Sequence, residues 1–260
     1  MVIGAPDSLG ARLGGRRFGG RRFGLPHDIA RPVLNGRMQP DDAPMPSAVA
    51  DRPRDPRGYP VPAITPWHNG VPMFAATSTS RSLICAVERR CSICGTPLGT
   101  GPVWRVVAAE EAQAIAEAQT TGRTYVNRAG TAEAPGHLGC MLYAAMICPY
   151  LARPNARRGV EAHIGDFAAH RGAARGELDG LGGAVVGFET YEFEVVEQVS
   201  FRFSGLVSFR PHRLGIEHLP ELQKLLASDD PPAGTVTYVD HPPYLLADEA
   251  AAEQRAADYR

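Results

Sequence analysis

Two short pairs of residues carry the side chains best suited to bind a metal ion. Cys91 and Cys94 form a Cys-x-x-Cys pair, and Gly95 follows directly, which lets the backbone turn tightly around a metal. His137 and Cys140 form the second pair, and their spacing of three places both side chains on one face of a helix. Zinc prefers four such ligands in a tetrahedron. The sequence therefore predicts one structural zinc ion bound by Cys91, Cys94, His137 and Cys140.

The alternative for Cys91 and Cys94 is thiol–disulfide chemistry. A redox pair of the thioredoxin type lies where a strand leads into a helix, whereas Pro97 and two glycines after Cys94 favour a turn. The chain has five cysteines and no evident export signal, which also favours metal over disulfides. Cys85 and Cys148 have mostly apolar neighbours, and we expect both to pack in the core.

Strands and helices have to bring the two pairs together. Asn69-Gly70 between apolar residues predicts a β-hairpin. The hydrophobic pattern then predicts, in chain order, a helix over 80–90, a strand over 103–107, a helix over 108–119, a strand over 123–128 and a helix over 135–148. A Cys-x-x-Cys turn, two strands and a helix whose first turn holds two ligands resembles the treble-clef zinc modules. In that arrangement the helix over 108–119 is an insertion between the two strands.

The second half of the chain has a clear β pattern. Over 184–210, apolar residues mostly alternate with Glu, Ser and Arg, which predicts antiparallel strands with one buried face. Leucines at helical spacing predict an amphipathic helix over 216–226. We expect residues 161–183, rich in Gly, Ala and Arg, to form a flexible linker. Residues 229–260 are expected to form a Pro-rich connection and a C-terminal tail with a short helix.

The first 58 residues lack hydrophobic periodicity and are rich in Gly, Pro and Arg, which predicts a disordered tail. Within this tail the tetrapeptide Arg-Arg-Phe-Gly occurs at 16–19 and again at 21–24. Arg with interleaved Phe is typical of segments that bind RNA or single strands by charge and stacking. A solvated leader explains the same composition, and we favour that interpretation.

Composition places the chain among ordinary globular proteins. Of 260 residues, 44% are hydrophobic and 21% charged, and the net charge of -1 gives no overall field that favours nucleic acid or membrane. No apolar run approaches the ~20 residues needed to span a bilayer, and we expect a cytoplasmic protein. The pattern as a whole predicts an α+β fold. A zinc-binding module over 59–160 packs with a small antiparallel sheet and a helix over 184–228, after a disordered N-terminal tail.

The order of landmarks from Tyr59 to Arg158 resembles a group of small proteins of actinobacteria and their phages. The shared features are a Trp-x-x-Gly-x-Pro-x-Phe segment at 67–74, a Cys-x-x-Cys-Gly-x-x-Leu-Gly segment at 91–99, a Pro-x-His-x-x-Cys helix start at 135–140 and a Cys-Pro-aromatic-Leu-x-Arg-Pro segment at 148–154. The resemblance covers roughly two fifths of the chain. It implies a metal site and no particular reaction, and it leaves open a role for Cys148 beyond packing.

Three functions remain open on this basis. We favour a zinc-stabilised binding module, for which the Arg-rich tail, together with Arg153, Arg157 and Arg158, is the candidate contact with nucleic acid or an acidic protein partner. A solvated helix end explains the last three arginines equally. One alternative is a nuclease of the treble-clef His-Asn-His type, which needs a general-base histidine on the strand over 103–107, where the sequence has none. The other is a purely structural subunit of a phage-derived assembly. Neither a membrane nor a small-molecule substrate is indicated, and an enzyme is the less favoured class.

Six further histidines have no carboxylate or cysteine at a useful ligand spacing. We therefore expect each to lie at the surface or to have its hydrogen bonds satisfied in the core. They are His68, His163, His170, His212, His218 and His241.

Overall fold

A three-stranded antiparallel sheet, a two-stranded hairpin, six α-helices and three short 3-10 helices make up the regular structure of the residues described. The computed structural model describes residues 38–126, 130–155, 176–228 and 240–260. The strands are β1 (Trp67–His68), β2 (Val71–Pro72), β3 (Val103–Ala108), β4 (Gly183–Val195) and β5 (Val199–His212). The helices are α1 (Ser47–Ala50), α2 (Thr79–Val87), α3 (Ala109–Thr120), α4 (Leu138–Ile147), α5 (Leu219–Leu226) and α6 (Glu249–Ala257). The predicted α+β class is thus confirmed.

The hairpin predicted at Asn69-Gly70 is present as the pair β1–β2. Asn69 has φ 51° and Gly70 has φ 74°. Positive φ at both central residues is the requirement of the tight turn that matches the twist of two antiparallel strands, and Asn followed by Gly adopts it at least cost.

The larger sheet has the order β3-β4-β5. Strand β3 pairs with the beginning of β4, from Val103 opposite Phe188 to Ala108 opposite Gly183. Strands β4 and β5 form a long hairpin that continues well past the end of β3. Phe188, Phe201 and their alternating neighbours are buried on one face, as expected, but Phe193 and Val195 near the hairpin tip are exposed.

The second strand expected over 123–128 is not observed. Residues 123–126 are not in a strand, and residues 127–129 lie outside the described part of the chain. The partner of β3 is instead β4, whose residues Ala184–Val186 are completely buried. These apolar residues let β4 supply the backbone hydrogen bonds that the buried strand β3 requires. The hairpin of a treble clef is therefore not seen, although the turn, the strand and the helix start are present.

Because β3 and β4 pair, the segments predicted as a zinc module and a separate strand region share one sheet. Helix α4 packs on β3 and on α5, so the core is continuous between them. Residues 176–183 of the expected linker include the start of β4, and residues 161–175 lie outside the described part.

The disordered tail predicted up to residue 58 needs correction from residue 38 onward. Ala48 and Val49 of α1 are completely buried, and the hydroxyl of Tyr59 donates to the carbonyl oxygen of Met38. This segment adds apolar side chains to the core that local periodicity did not reveal. Residues 1–37, including both Arg-Arg-Phe-Gly repeats, lie outside the described part.

The expected C-terminal tail also packs against the fold where it is described. Residues 240–260 carry α6, which lies against α2. Nε of Arg81 in α2 lies 2.8 Å from a carboxylate oxygen of Glu249 in α6, and the Arg81 side chain is fully buried. Leu245, Ala252 and Ala256 belong to the buried core. Among the described residues, none of the helices has the length and apolar character to cross a membrane.

Candidate metal centre

The Cys-x-x-Cys pair lies in a tight turn between α2 and β3. The amide of Gly95 donates to the carbonyl of Cys91 at 2.8 Å, and the amide of Cys91 donates to the carbonyl of Thr96 at 2.9 Å. Gly95 has φ 82°, a conformation that side chains other than glycine rarely adopt. These contacts curl the chain so that both thiols face the same side.

The second pair lies at the start of α4, as predicted. His137 is the N-cap residue with extended backbone angles, and Cys140 follows in the first turn. The preceding residue, Gly136, exchanges two backbone hydrogen bonds with Trp104 of β3, at 2.9 and 2.8 Å. The amide of Ser92, within the Cys-x-x-Cys turn, donates to the carbonyl of Pro135 at 2.8 Å. Strand β3 and the turn itself therefore position the helix start.

All four predicted residues come together in one buried cluster. Their ligand atoms lie within 4.8 Å of one another. Nδ1 of His137 is 3.5 Å from Sγ of Cys94 and 3.9 Å from Sγ of Cys140. A tetrahedron with metal–ligand distances of about 2.0–2.3 Å has edges of roughly 3.5–3.8 Å. The two distances from His137 are thus close to the edges of such a tetrahedron, and the cluster as a whole is compact enough to hold a single small ion.

The ring of His137 is held in the orientation that a metal ligand needs. Nε2 of His137 lies 2.8 Å from the carbonyl oxygen of Pro97. Because a carbonyl only accepts hydrogen bonds, Nε2 carries a ring proton, and Nδ1 faces the thiols, where it would be the atom that binds a metal. A backbone carbonyl on the second nitrogen is the usual partner of a metal-binding imidazole.

Electrostatics within the cluster favour negative charge on sulfur. Burial would raise the pKa of Cys91, but hydrogen bonds from Cys140 and Cys94 and the charge of His137 bring it well below its usual range. Burial likewise disfavours a charged His137, but the Cys91 thiolate raises the pKa of His137 to about 11. Without a metal the cluster therefore retains a proton on the imidazole, which a bound cation displaces from Nδ1.

Several groups around the cluster were not predicted from the sequence. Thr96 places its hydroxyl 3.1 Å from Sγ of Cys94. Nδ1 of His241 donates to the carbonyl of Cys94 at 3.0 Å, from a residue 147 positions along the chain. Gly136 has no side chain where a Cβ would lie 3.0 Å from Sγ of Cys91. The position of Thr96 two residues after Cys94 was a local signal for the first of these contacts, but nothing local marks His241.

The remaining cysteines lie outside the cluster. Cys85 is completely buried in α2, and burial raises the pKa of its thiol far above the usual range. Cys148, the C-cap residue of α4, is half-buried. The core position expected for Cys85 is confirmed, and Cys148 is less enclosed than expected.

Two histidines form a buried pair away from the cluster. Nε2 of His218 lies 2.9 Å from Nδ1 of His212, and both residues are buried. Burial, together with nearby Arg210, lowers the pKa of His218 to about 4. His212 and His218 thus share one hydrogen bond in the core. His163 and His170 lie outside the described part of the chain.

The cluster is a group of four buried side chains that could hold a metal ion. Comparisons of the chain with models of known protein families, with curated proteins and with solved structures found no match. Function is therefore inferred from the chemistry of the cluster and its surroundings.

Proposed function

We propose that Cys91, Cys94, His137 and Cys140 bind one Zn²⁺ ion, and that this ion stabilises an interaction module without taking part in catalysis. The observation that carries the proposal is the orientation of His137, with Nδ1 toward the thiols and Nε2 on the carbonyl of Pro97. An imidazole that is oriented by a carbonyl on one nitrogen, and that faces buried thiols with the other, has the orientation of a metal ligand.

The donor set favours zinc. Three thiolates and one imidazole in tetrahedral spacing suit Zn²⁺, which has no geometric preference of its own and binds sulfur and nitrogen readily. Mg²⁺ and Ca²⁺ prefer oxygen ligands, and no carboxylate belongs to this group of four.

The burial of the ligands supports a structural role. A catalytic zinc site has three protein ligands and leaves the fourth position for water or substrate. Here four protein ligands are available, and Cys91, Cys94 and Cys140 are all about 1% exposed or less. An ion bound by all four residues has no position left for a substrate.

The distribution of charge suggests where a partner would bind. The residues that the structure describes include 22 Asp and Glu against 15 Arg and Lys, whereas the rest of the chain contains 6 and 12. A nucleic acid or an acidic protein partner would therefore meet its favourable charges in the sequence outside the described residues, above all in the seven arginines of residues 1–37.

The nuclease alternative lacks support near the cluster. Strand β3 carries no histidine, and His241, which does contact the cysteine turn, makes its contact through the backbone carbonyl of Cys94. A purely structural subunit, phage-derived as the resemblance suggests, fits the same closed site. Metal-dependent cleavage of DNA by the purified protein would favour the nuclease over both other functions.

Metal analysis of the purified protein tests the zinc proposal. We expect about one zinc per chain in the native protein and a clear loss in Cys94→Ser. Cys85→Ser is the matched control, because Cys85 is equally buried but lies outside the cluster. Full zinc occupancy in Cys94→Ser, or little zinc in the native protein, would contradict the proposal.

Binding to nucleic acid tests the interaction proposal separately. The full chain and a version that begins at Met38 are compared for binding to single-stranded RNA over a range of salt concentrations. We expect binding by the full chain only, with an affinity that falls steeply as salt rises. Equal binding by the two versions would place the contact elsewhere, and no binding by either would favour a protein partner.

A further inference from the structure

A buried arginine lies beside the metal cluster. Arg52, just after α1, is 3% exposed. Its Nε donates to the carbonyl of Val61 at 2.9 Å, and its Nη2 donates to the carbonyl of Leu245 at 2.7 Å. The third nitrogen, Nη1, is buried without a hydrogen-bond partner among the described residues. A buried charge with one unused donor needs a physical reason.

The unused nitrogen lies close to the cysteine turn. A Cβ built on Gly95, the residue after Cys94, would lie 3.5 Å from Nη1 of Arg52. Burial lowers the pKa of Arg52 to about 10, and the charge on Cys94 is the strongest influence that raises it. Cys91 acts in the same direction. The unused donor of Arg52 therefore lies against the cysteine turn, and the thiol of Cys94 is the group that most favours its charged form.

Two other buried arginines are neutralised differently. Arg81 pairs with Glu249, and Arg105 pairs with Glu111 and Glu133. For Arg52, by contrast, the structure shows hydrogen bonds to backbone carbonyls within the described part of the chain, and no carboxylate is among its partners.

The charge of a zinc-bound cluster matches this arrangement. Three thiolates, a neutral imidazole and Zn²⁺ leave one net negative charge. A net charge in a protein interior is costly unless an opposite charge lies close to it. Arg52 provides one positive charge, which is buried beside the cysteine turn and has no carboxylate partner among the described residues.

We propose that Arg52 is the counter-charge of the zinc centre and that it sets the affinity of the cluster for zinc. The inference rests on the proposed function, since a cluster without metal has no such net charge. Arg52 is a positioning residue that acts through the ligands, and its contact with Leu245 also joins the centre to the C-terminal segment.

The test is a measurement of zinc affinity by competition with a chelator. Arg52→Met keeps an unbranched side chain, although a shorter one, and removes the charge, whereas Arg52→Lys keeps the charge. We expect Arg52→Met to bind zinc about tenfold to a hundredfold more weakly, which is the range found when groups that support the metal ligands are replaced. Arg52→Lys should retain most of the affinity. Arg105→Met is the matched control, because Arg105 is also 3% exposed but has its own carboxylates, and its zinc affinity should be unchanged.

A second variant separates charge from packing. Cys94→His changes the ligands to two thiolates and two imidazoles, so the zinc-bound centre becomes neutral. In that background Arg52→Met should cost little affinity if Arg52 acts as a counter-charge. An equal loss in both backgrounds would overturn the proposal. If Cys94→His binds no zinc, the comparison of Arg52→Met with Arg52→Lys tests the proposal instead. Equal zinc affinity in those two variants would contradict a role for the charge.

The outcomes for the two proposals are distinguishable. A native protein that binds no zinc contradicts the proposed function itself. If the native protein binds zinc and Arg52→Met binds it with the same affinity, only the role of Arg52 is contradicted. If Arg52→Met is unfolded without metal, saturating zinc should restore its fold. Failure to refold at saturating zinc would show that Arg52 serves the fold rather than the centre.

Discussion

Trp104 and Gly136 exchange two backbone hydrogen bonds, and this short bridge connects the sheet to the metal centre. Trp104 belongs to β3, and Gly136 immediately precedes the ligand His137. On the other side of Trp104, a Cβ on Gly187 of β4 would lie 2.6 Å from the indole ring, so the ring occupies the space that a side chain there would need. The indole is thus enclosed by the sheet, and the start of α4 is held by the backbone of the same residue.

Replacing Gly136 should loosen the cluster. In Gly136→Ala the new Cβ would overlap the terminal methyl group of Met141, which has to move, and would lie 3.0 Å from Sγ of Cys91, so that this thiol has to shift by a few tenths of an ångström. We expect zinc affinity to fall on the order of tenfold, because small displacements of ligands and their supports have effects of that size. Chelator competition measures the change.

Gly122→Ala is the control for Gly136→Ala. Gly122 has φ 65° but open space around it, so alanine there costs about 1 kcal/mol of backbone strain while zinc affinity stays unaltered. Equal zinc affinity in Gly136→Ala and the native protein would show that the close approach to Cys91 is unimportant.

Removing the metal should destabilise the native protein, but it should have little effect on Cys94→Ser. Zinc that binds only the folded state adds to the free energy of unfolding, so a strong chelator should lower the melting temperature of the native chain. In Cys94→Ser the chelator should have little further effect, and Cys85→Ser should respond like the native chain. Thermal unfolding with and without chelator measures this difference. A chelator shift of equal size in Cys94→Ser would mean that the metal binds elsewhere.

The ion pair between α2 and α6 should contribute strongly to stability. Glu249→Ala would leave the fully buried guanidinium of Arg81 without its carboxylate. Breaking a buried ion pair on one side typically costs about 3–5 kcal/mol, and we expect the lower end because Glu249 is partly exposed. Urea unfolding measures the loss. Glu253→Ala, an exposed position on the same helix, is the control and should change stability by less than about 0.5 kcal/mol.

Acidification should destabilise the fold through His218. Its pKa is lowered to about 4 in the folded protein by burial and then by Arg210, against 6.5 as the ordinary value. Between these two pH values the unfolded chain binds more protons, so the free energy of unfolding falls as pH decreases from about 6.5 toward 4. The full effect is about 3 kcal/mol.

His218→Gln isolates this contribution, because protonation of the zinc ligands affects both proteins alike. Denaturant unfolding of the native protein and His218→Gln at pH 7.5 and pH 5 should give a smaller decrease for the variant. Identical pH dependence would exclude His218 as the source.

The four cluster residues were predictable because each pair has a local signature. A Cys-x-x-Cys turn followed by glycine, and a His-x-x-Cys at a helix start, each reflect backbone geometry over a few residues. The hairpin at Asn69-Gly70 was predictable for the same reason. Local conformational preferences are thus sufficient to identify these elements.

Long-range pairing was not predictable in the same way. Strand β3 pairs with β4, whose first residue is 75 positions after Ala108, and the local pattern suggested a nearer strand at 123–128. Arg52 and His241 reach the cysteine turn from distant parts of the chain, and neither belongs to a motif. Their positions depend on the packing of α1 and the C-terminal segment, which no short pattern encodes.

Cys94 and His137, which belong to the two different ligand pairs, are 43 residues apart in the chain. A bound ion would therefore act as a cross-link that closes a loop of that length. By the chain-entropy relation used for disulfides, such a closure lowers the conformational entropy of the unfolded chain and raises its free energy by about 4 kcal/mol. The closed loop contains β3 and α3, so both elements would remain tethered at each end during a local opening and would find their places again without a search of the whole chain.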